Sequence, residues 1–192
     1  MKRKLFKIIL PIVAGVTSIA AIGSLVSHEI APVNLGQRAL HIRGKLPFEM
    51  TTRGITVKGI KFFENFYEKP YICPAGVPTI GYGFTDKQYL AKGTITKAEA
   101  SLILDHELGK HCEIVKRYVK VKLTEEQLYA LASFTFNCGE GSLKQLVNGK
   151  GRLNSGNYKS VPTLMMKYKC ANGKPLKGLE LRRAWEAKLW KA

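Results

Sequence analysis

The chain has 192 residues, of which 45% are hydrophobic, and it carries a formal net charge of +17. This length favours one compact domain over two, and the charge indicates a polyanionic partner such as nucleic acid, a cell-wall polymer or a membrane surface. Zinc-finger spacings, basic-leucine heptads and RNP aromatic patterns are absent from the sequence, so we expect no nucleic-acid binding. Only Asp86 and Asp105 supply aspartates, and the four histidines form no HExxH motif, so we expect no metal site.

The N-terminal part of the chain has the pattern of a membrane segment. Residues 8–26 form an uncharged stretch of 19 residues, close to the roughly 20 that a spanning helix needs. Basic residues crowd positions 2–7, and the first acidic residue is Glu29. This asymmetry predicts a cytoplasmic N-terminus and export of the rest of the chain. Many small residues make insertion marginal, so a cleaved signal peptide, a releasable anchor and a buried soluble helix stay open as alternatives.

The chain divides into a signal-anchor or transmembrane segment over residues 1–27, a tether over 28–50 and a folded domain over 51–192. In that domain the first predicted element is a helix that Thr56 caps, with apolar positions from Val57 to Phe66 at helical spacing. Glu64 lies near its C-terminal end. Residues 71–84 are rich in β-formers, Gly and Pro, and they predict a β-hairpin.

The rest of the domain is predicted to be helical. Thr96 and Glu99 form a capping box before one long helix, and Thr124 and Gln127 form another before a second helix, which Gly139 is predicted to end. Shorter helical stretches follow near 141–148 and 157–168. The last helix, over 178–190, is predicted to bury a stripe formed by Leu181, Ala184, Trp185 and Leu189. The predicted fold class is α+β, mainly α, with a small β-hairpin lobe beside a helical lobe.

Glu64, Cys73 and Thr79 form the candidate catalytic group, separated by eight and then five residues. Glycoside hydrolysis needs a general acid and a group that delivers water or attacks the sugar. Aromatic neighbours can desolvate Glu64 and keep it protonated, as a general acid requires. Thr79 offers a hydroxyl to hold the water, and Cys73 can orient or activate that water as a thiolate. The purely structural alternatives are a solvated glutamate, a packing or disulfide-bonded cysteine, and an ordinary strand threonine.

This spacing resembles the Glu-x8-(Asp/Cys)-x5-Thr triad of phage-type lysozymes, the endolysins that cleave peptidoglycan. Residues 71–83, 133–139 and 178–190 are similar to the hairpin, central-helix and C-terminal-helix motifs of that family, in the same order. The resemblance implies a lysozyme-like fold and hydrolysis, without a cofactor, of the β(1→4) bond between N-acetylmuramic acid and N-acetylglucosamine. We therefore expect a monomeric enzyme that acts on peptidoglycan glycan strands and causes host cell lysis.

The resemblance also implies roles for single residues. Glu64 matches the proton donor, Cys73 occupies the position that many members fill with Asp, and Thr79 matches the water-positioning hydroxyl. Gly83 and Asn137 match residues that line the sugar cleft.

Three further features bear on the site. An arginine of the last helix is expected to support the catalytic glutamate, and Arg182 and Arg183 are both candidates. Phe84 stands where family members often have His. The four cysteines allow three full pairings, and we expect Cys73 to be free in the active form.

The apolar N-terminal segment resembles the signal-arrest-release anchors of some phage lysozymes of Gram-negative hosts, which are exported inactive and become active on release. This implies tethering to the inner membrane through residues 8–26, with a catalytic domain over 51–192 at the periplasmic face. Residues 1–72 contain no cysteine, so unlocking through an anchor cysteine cannot operate here. Two other functions compete: a lytic transglycosylase that leaves a 1,6-anhydro product, and a non-catalytic, basic, membrane-tethered wall-binding protein.

Overall fold

A computed structural model describes residues 51–73, 76–171 and 173–192. None of the helices in these ranges is long and apolar enough to cross a membrane. The predicted anchor and tether, residues 1–27 and 28–50, lie outside the described residues. In chain order the elements are α1 (Thr52–Glu64), β1 (Tyr67–Ile72), β2 (Pro78–Gly81), α2 (Lys87–Leu90), α3 (Lys97–Tyr118), α4 (Glu125–Val147), α5 (Ser160–Met165), β3 (Cys170–Ala171), β4 (Lys174–Pro175) and α6 (Lys177–Lys191), with short 3-10 turns at Leu153–Ser155 and Met166–Tyr168.

Helix α1 begins earlier in the chain than the sequence predicts. Thr51 is its N-cap, and the Thr51 hydroxyl accepts a 3.0 Å hydrogen bond from the Gly54 N–H. The prediction that Thr56 caps this helix is wrong, because Thr56 lies inside it and its hydroxyl donates to the Thr52 carbonyl at 2.7 Å. A threonine hydroxyl can satisfy itself within a helix as well as at its start, so the residue type alone does not mark the first turn.

The predicted hairpin is present, and its first strand starts before residue 71. Strands β1 and β2 are antiparallel, with Tyr71 opposite Thr79. The chain then turns back, and Ile80 and Phe84 exchange two backbone hydrogen bonds of 2.9 Å. Gly81 sits at this turn with a φ of 65°, and a Cβ there would lie 2.7 Å from the Phe84 ring. Phe84 is buried against the hairpin, so it serves as a packing residue.

Helix α4 runs through the centre of the helical lobe and packs against α1, α3 and α6. Both predicted capping boxes, at Thr96 and Thr124, are confirmed. The stretch 130–135 is buried throughout, as expected for a central helix. Gly139 does break the helical geometry, with φ 80° and ψ 165°, but the helix resumes after this kink and ends at Val147.

Helix α6 has the predicted position, and its predicted buried stripe is confirmed only in part, because Trp185 and Leu189 are half-buried. Leu181 is 41% exposed and Ala184 is also exposed. The inner face also carries charged side chains, since Arg182, Arg183 and Glu186 pair with one another and with residues of α1 and α4. The fold class is as predicted for the described residues: mainly helical, with a small β-hairpin beside a helical lobe.

Candidate active site

Glu64 is the last residue of α1, and its side chain is only 2% exposed. The next residue, Asn65, adopts a φ of 54°, which turns the chain sharply from the helix toward β1. The Glu64 carboxylate pairs with Nη1 of Arg182 from helix α6. Of the two candidate arginines, Arg182 is therefore the one that contacts the glutamate.

Burial dominates the electrostatics of Glu64. Loss of solvent raises the pKa of this carboxyl, and this effect outweighs Arg182 and Arg183, which lower it. A carboxyl whose pKa is raised keeps its proton at higher pH, which is the property that a general acid needs.

Cys73 and Thr79 are held together by one backbone carbonyl of the hairpin loop. The Val77 carbonyl accepts the Cys73 N–H at 3.0 Å and the Thr79 hydroxyl at 2.9 Å. Both side chains are buried. Because the Thr79 hydroxyl donates its hydrogen to the Val77 carbonyl, its oxygen lone pairs can accept a hydrogen bond from a water.

Tyr71 is a further titratable group near the predicted site, which the sequence analysis did not single out. Burial raises the pKa of Tyr71 to about 12, with further contributions from Tyr67, Cys73 and Glu64. The phenol therefore lies within electrostatic reach of both Cys73 and Glu64. The signal was available in the predicted hairpin, because Tyr71 faces Thr79 across the two strands and such partners share one side of a sheet.

A second buried acid lies behind Arg182. Oε1 of Glu186 accepts hydrogen bonds from Ser133 Oγ at 2.8 Å, from Arg182 Nε at 3.3 Å and from Arg183 Nη2 at 2.8 Å. Nε of Arg183 lies 2.7 Å from Glu186 Oε2. Arg183 also donates to the sulfur of Cys138. Sequence analysis placed Ser133 and Glu186 in family motifs but gave neither a role.

The two predicted cleft residues lie in separate elements. Gly83 is buried in the turn after β2 with a φ of 93°. Asn137 is buried on α4, and its side-chain oxygen accepts a hydrogen bond from the Cys138 thiol at 3.6 Å. All four cysteines are free thiols.

Within the described ranges a metal site is absent, and a cleft lies away from the predicted site. No group of three or more His, Cys, Asp or Glu residues there could hold a metal ion. A cleft of about 450 Å³ shares no residue with the predicted site. Its lining consists of Gln145, Asn148, Gly149, Arg152, Leu164, Lys167 and Tyr168.

The chain is similar to known proteins in sequence and in fold. Residues 61–186 match the phage lysozyme family. The SAR-endolysin of Bacteriophage PS119 is 33% identical over 123 residues, covering 64% of this chain and 73% of that protein. The SAR-endolysin of Escherichia phage Mu is 32% identical over 136 residues, covering 71% and 78%.

Among solved structures, the muramidase domain of SpmX from Asticaccaulis excentricus matches with a TM-score of 0.61 and 31% identity, covering 72% of this chain and 95% of that one. An endolysin from the Escherichia coli O157:H7 phage FAHEc1 matches with a TM-score of 0.58 and 27% identity, covering 78% and 96%. Since the family match spans most of the described residues and includes Glu64, Cys73 and Thr79, the chain belongs to the phage lysozyme family.

Proposed function

We propose that Glu64 is the general acid of this enzyme and that Cys73 and Thr79 hold the attacking water. As a phage lysozyme, the chain is a glycoside hydrolase, a muramidase that lyses peptidoglycan. The observation that carries the assignment of Glu64 is its burial beside Arg182 with a raised pKa. The shared contact of Cys73 and Thr79 with the Val77 carbonyl supports their acting together.

The proposed reaction begins with proton transfer from Glu64 to the oxygen that links N-acetylmuramic acid to N-acetylglucosamine. Arg182 then faces a carboxylate, and its attraction to that charge grows as the bond breaks, so it favours the transition state over the ground state. A water that donates a hydrogen bond to the Thr79 oxygen and is oriented by Cys73 attacks the sugar carbon as the glycosidic bond breaks. This water gives up one proton to solvent, and solvent returns a proton to Glu64. Gly83 and Asn137 line the cleft that holds the glycan.

Substitution of the acid tests this assignment directly. We expect Glu64→Gln to lower the rate at which outer-membrane-stripped cells lose turbidity by roughly 10²–10⁴-fold, the usual contribution of a general acid. Cys73→Asp should keep activity, because a carboxylate can also orient water. Circular dichroism controls for folding. An active Glu64→Gln protein would remove Glu64 from the mechanism.

Hydrolysis is favoured over transglycosylation because Thr79 and Cys73 are suited to holding a water. Mass spectrometry of the released muropeptides separates the two, since hydrolysis leaves a reducing end and transglycosylation leaves a 1,6-anhydro sugar. A wall-binding protein without catalytic activity would bind stripped cells and leave their turbidity unchanged.

We also propose that the enzyme is a monomer, is exported, and is tethered to the inner membrane through residues 8–26, with 28–50 as a tether and 51–192 as the catalytic domain facing the periplasm. Support comes from the charge asymmetry of the N-terminus and from relatives named SAR-endolysins. N-terminal sequencing of the exported protein should find the anchor intact; a chain that begins near residue 24 would indicate a cleaved signal peptide. Thiol counting on the active enzyme should find Cys73 free.

A further inference from the structure

We propose that Glu186 is a positioning residue for this reaction: it fixes Arg182 against Glu64 and sets the net charge that the buried Glu64 carboxyl faces. The inference rests on the proposed function, because it matters for catalysis only if Glu64 donates the proton. Glu186 itself is fully buried, at a relative exposure of 0%, and its hydrogen-bonded link to Glu64 runs through Arg182.

The geometry makes Arg182 a bridge between two acids. Its Nη1 pairs with Glu64 of α1, and its Nε lies 3.3 Å from Glu186, one turn later on the same helix. Glu186 is anchored in turn to helix α4 by the Ser133 hydroxyl at 2.8 Å. The guanidinium is planar and presents its donors in a fixed fork. An acid that holds Nε therefore fixes the direction in which Nη1 points.

The charges of this cluster do not cancel before the reaction. Arg182 and Arg183 contribute two positive charges, and Glu186 contributes one negative charge. One positive charge therefore remains to face Glu64. When Glu64 gives up its proton, the buried cluster becomes neutral. Without Glu186 two positive charges would face Glu64, and without Arg183 none would.

The surroundings keep these charges poorly screened. The Arg182 guanidinium lies 5.8 Å from the ring of Phe63 on α1 and 6.0 Å from the ring of Phe136 on α4. Coulomb interactions in such a low-dielectric setting are much stronger than in water. We therefore expect the charge at position 186 to act on Glu64 through the protein interior.

Other titratable groups also face this cluster. Tyr71 of the hairpin lies within electrostatic reach of Glu64, and the Cys138 thiol of α4 accepts a hydrogen bond from Arg183. Nearby charges act in opposite directions on the Glu64 carboxyl: Glu186 raises its pKa and Arg183 lowers it. Glu186→Gln removes no hydrogen-bond partner of Tyr71 or Cys138, whereas Arg183→Gln also removes the donor to the Cys138 sulfur; burial raises the pKa of that thiol to about 11, so it adds no charge to the cluster.

The test compares three variants of the full chain: Glu186→Gln, Arg183→Gln and the double variant. The Glu64 carboxyl is titrated by carbon-13 NMR, with its signal assigned by its loss in Glu64→Gln. The alkaline limb of the pH–rate profile for peptidoglycan solubilisation is measured in parallel. We expect both readouts to move about one pH unit downward in Glu186→Gln and a similar amount upward in Arg183→Gln, the low end of the shifts that neighbouring charges cause. The double variant, with one positive charge left, should return close to the wild type.

Ser133→Ala is the matched control, because it removes a neutral hydrogen bond to Glu186 and leaves every charge in place. We expect its pH limb to stay at the wild-type position even if its melting temperature falls. A purely structural role for Glu186 would lower stability without opposite shifts in the two single variants. Should Glu186→Gln fail to fold, the upward shift of Arg183→Gln and its reversal in the double variant decide the question.

The outcomes separate the inference from the function on which it rests. Unchanged titrations, or shifts of the same sign in both single variants, overturn the inference, while the loss of activity in Glu64→Gln still tests the acid independently. An NMR titration that moves while the activity limb stays fixed upholds the charge coupling and overturns Glu64 as the proton donor.

Discussion

Helices α3 and α6 both pack on the central helix α4, but only α6 also buries charged side chains. Helix α6 turns Arg182, Arg183 and Glu186 inward, whereas α3 buries Ala100, Leu104, Leu108, Cys112 and Val115. Apolar burial favours folding roughly in proportion to area. Burial of charges costs desolvation energy that pairing only partly returns. The contrast indicates that α3 serves mainly stability, whereas α6 gives up some stability to hold Glu64 in its working environment.

The largest effect is expected from breaking the charged face. Arg182→Met leaves Glu64 and Glu186 buried without their shared partner, so we expect a loss of about 3–5 kcal/mol in unfolding free energy, together with a large loss of activity. Urea denaturation and turbidity assays measure the two. Lys188→Met, at an exposed position of the same helix, is the control and should stay within about 0.5 kcal/mol of the wild type. Equal unfolding free energies of the two variants would mean that the buried ion pairs contribute nothing to stability.

An equivalent change on the apolar face should affect stability alone. Leu104→Ala removes a fully buried side chain, and we expect a loss of about 2–5 kcal/mol while the specific activity of the folded protein is kept. Leu102, on the same helix, is 74% exposed, so Leu102→Ala should change little. If Leu104→Ala lowered specific activity as much as Arg182→Met does, the proposed division between the two helices would fail.

A smaller effect is expected on the outer side of α6, where Trp185 packs on α1. A Cβ at Gly59 would lie 2.2 Å from the Trp185 ring, so Gly59→Ala should cost about 1–3 kcal/mol through overpacking. A Cβ at Gly178 would meet no packing neighbour within 4 Å, and Gly178→Ala should be neutral or stabilising by up to about 1 kcal/mol. Thermal unfolding of both variants checks the difference; similar melting temperatures would show that Trp185 moves aside freely.

The smallest expected effect concerns how the free energy of unfolding depends on pH. The pKa of Glu64 is raised in the folded protein because its carboxyl is buried, so the native state binds this proton more tightly than the unfolded chain does. Stability from this group is therefore fully present below the ordinary pKa near 4.5 and is lost as the pH rises above it. We expect the wild type to lose stability relative to Glu64→Gln as the pH rises from the ordinary value near 4.5 through the raised pKa of the folded state. A difference that does not change with pH would contradict the raised pKa.

Sequence reasoning succeeded where the interactions are local. The capping boxes at Thr96 and Thr124 involve groups three residues apart, so a four-residue pattern is enough to predict them. The hairpin likewise falls within a short stretch of chain. The position of α6 followed from its motif in the same way.

The inner face of α6 could not be predicted because its partners are distant in sequence. Ser133 and Glu186 lie 53 positions apart, and Glu64 and Arg182 lie 118 apart. Hydrophobic periodicity assigns charged residues to the solvent side, which is the usual outcome. Successive helical residues also point about 100° apart, so the choice between Arg182 and Arg183 depends on a helix rotation that only tertiary packing determines.

The loop carbonyl of Val77 has a consequence for how this enzyme can vary. It serves the Cys73 backbone and the Thr79 hydroxyl at once, and a main-chain oxygen is present whatever the side chain at that position. Replacements at residue 77 can therefore change the half-buried side chain of this loop without removing the acceptor that the Cys73 N–H and the Thr79 hydroxyl share.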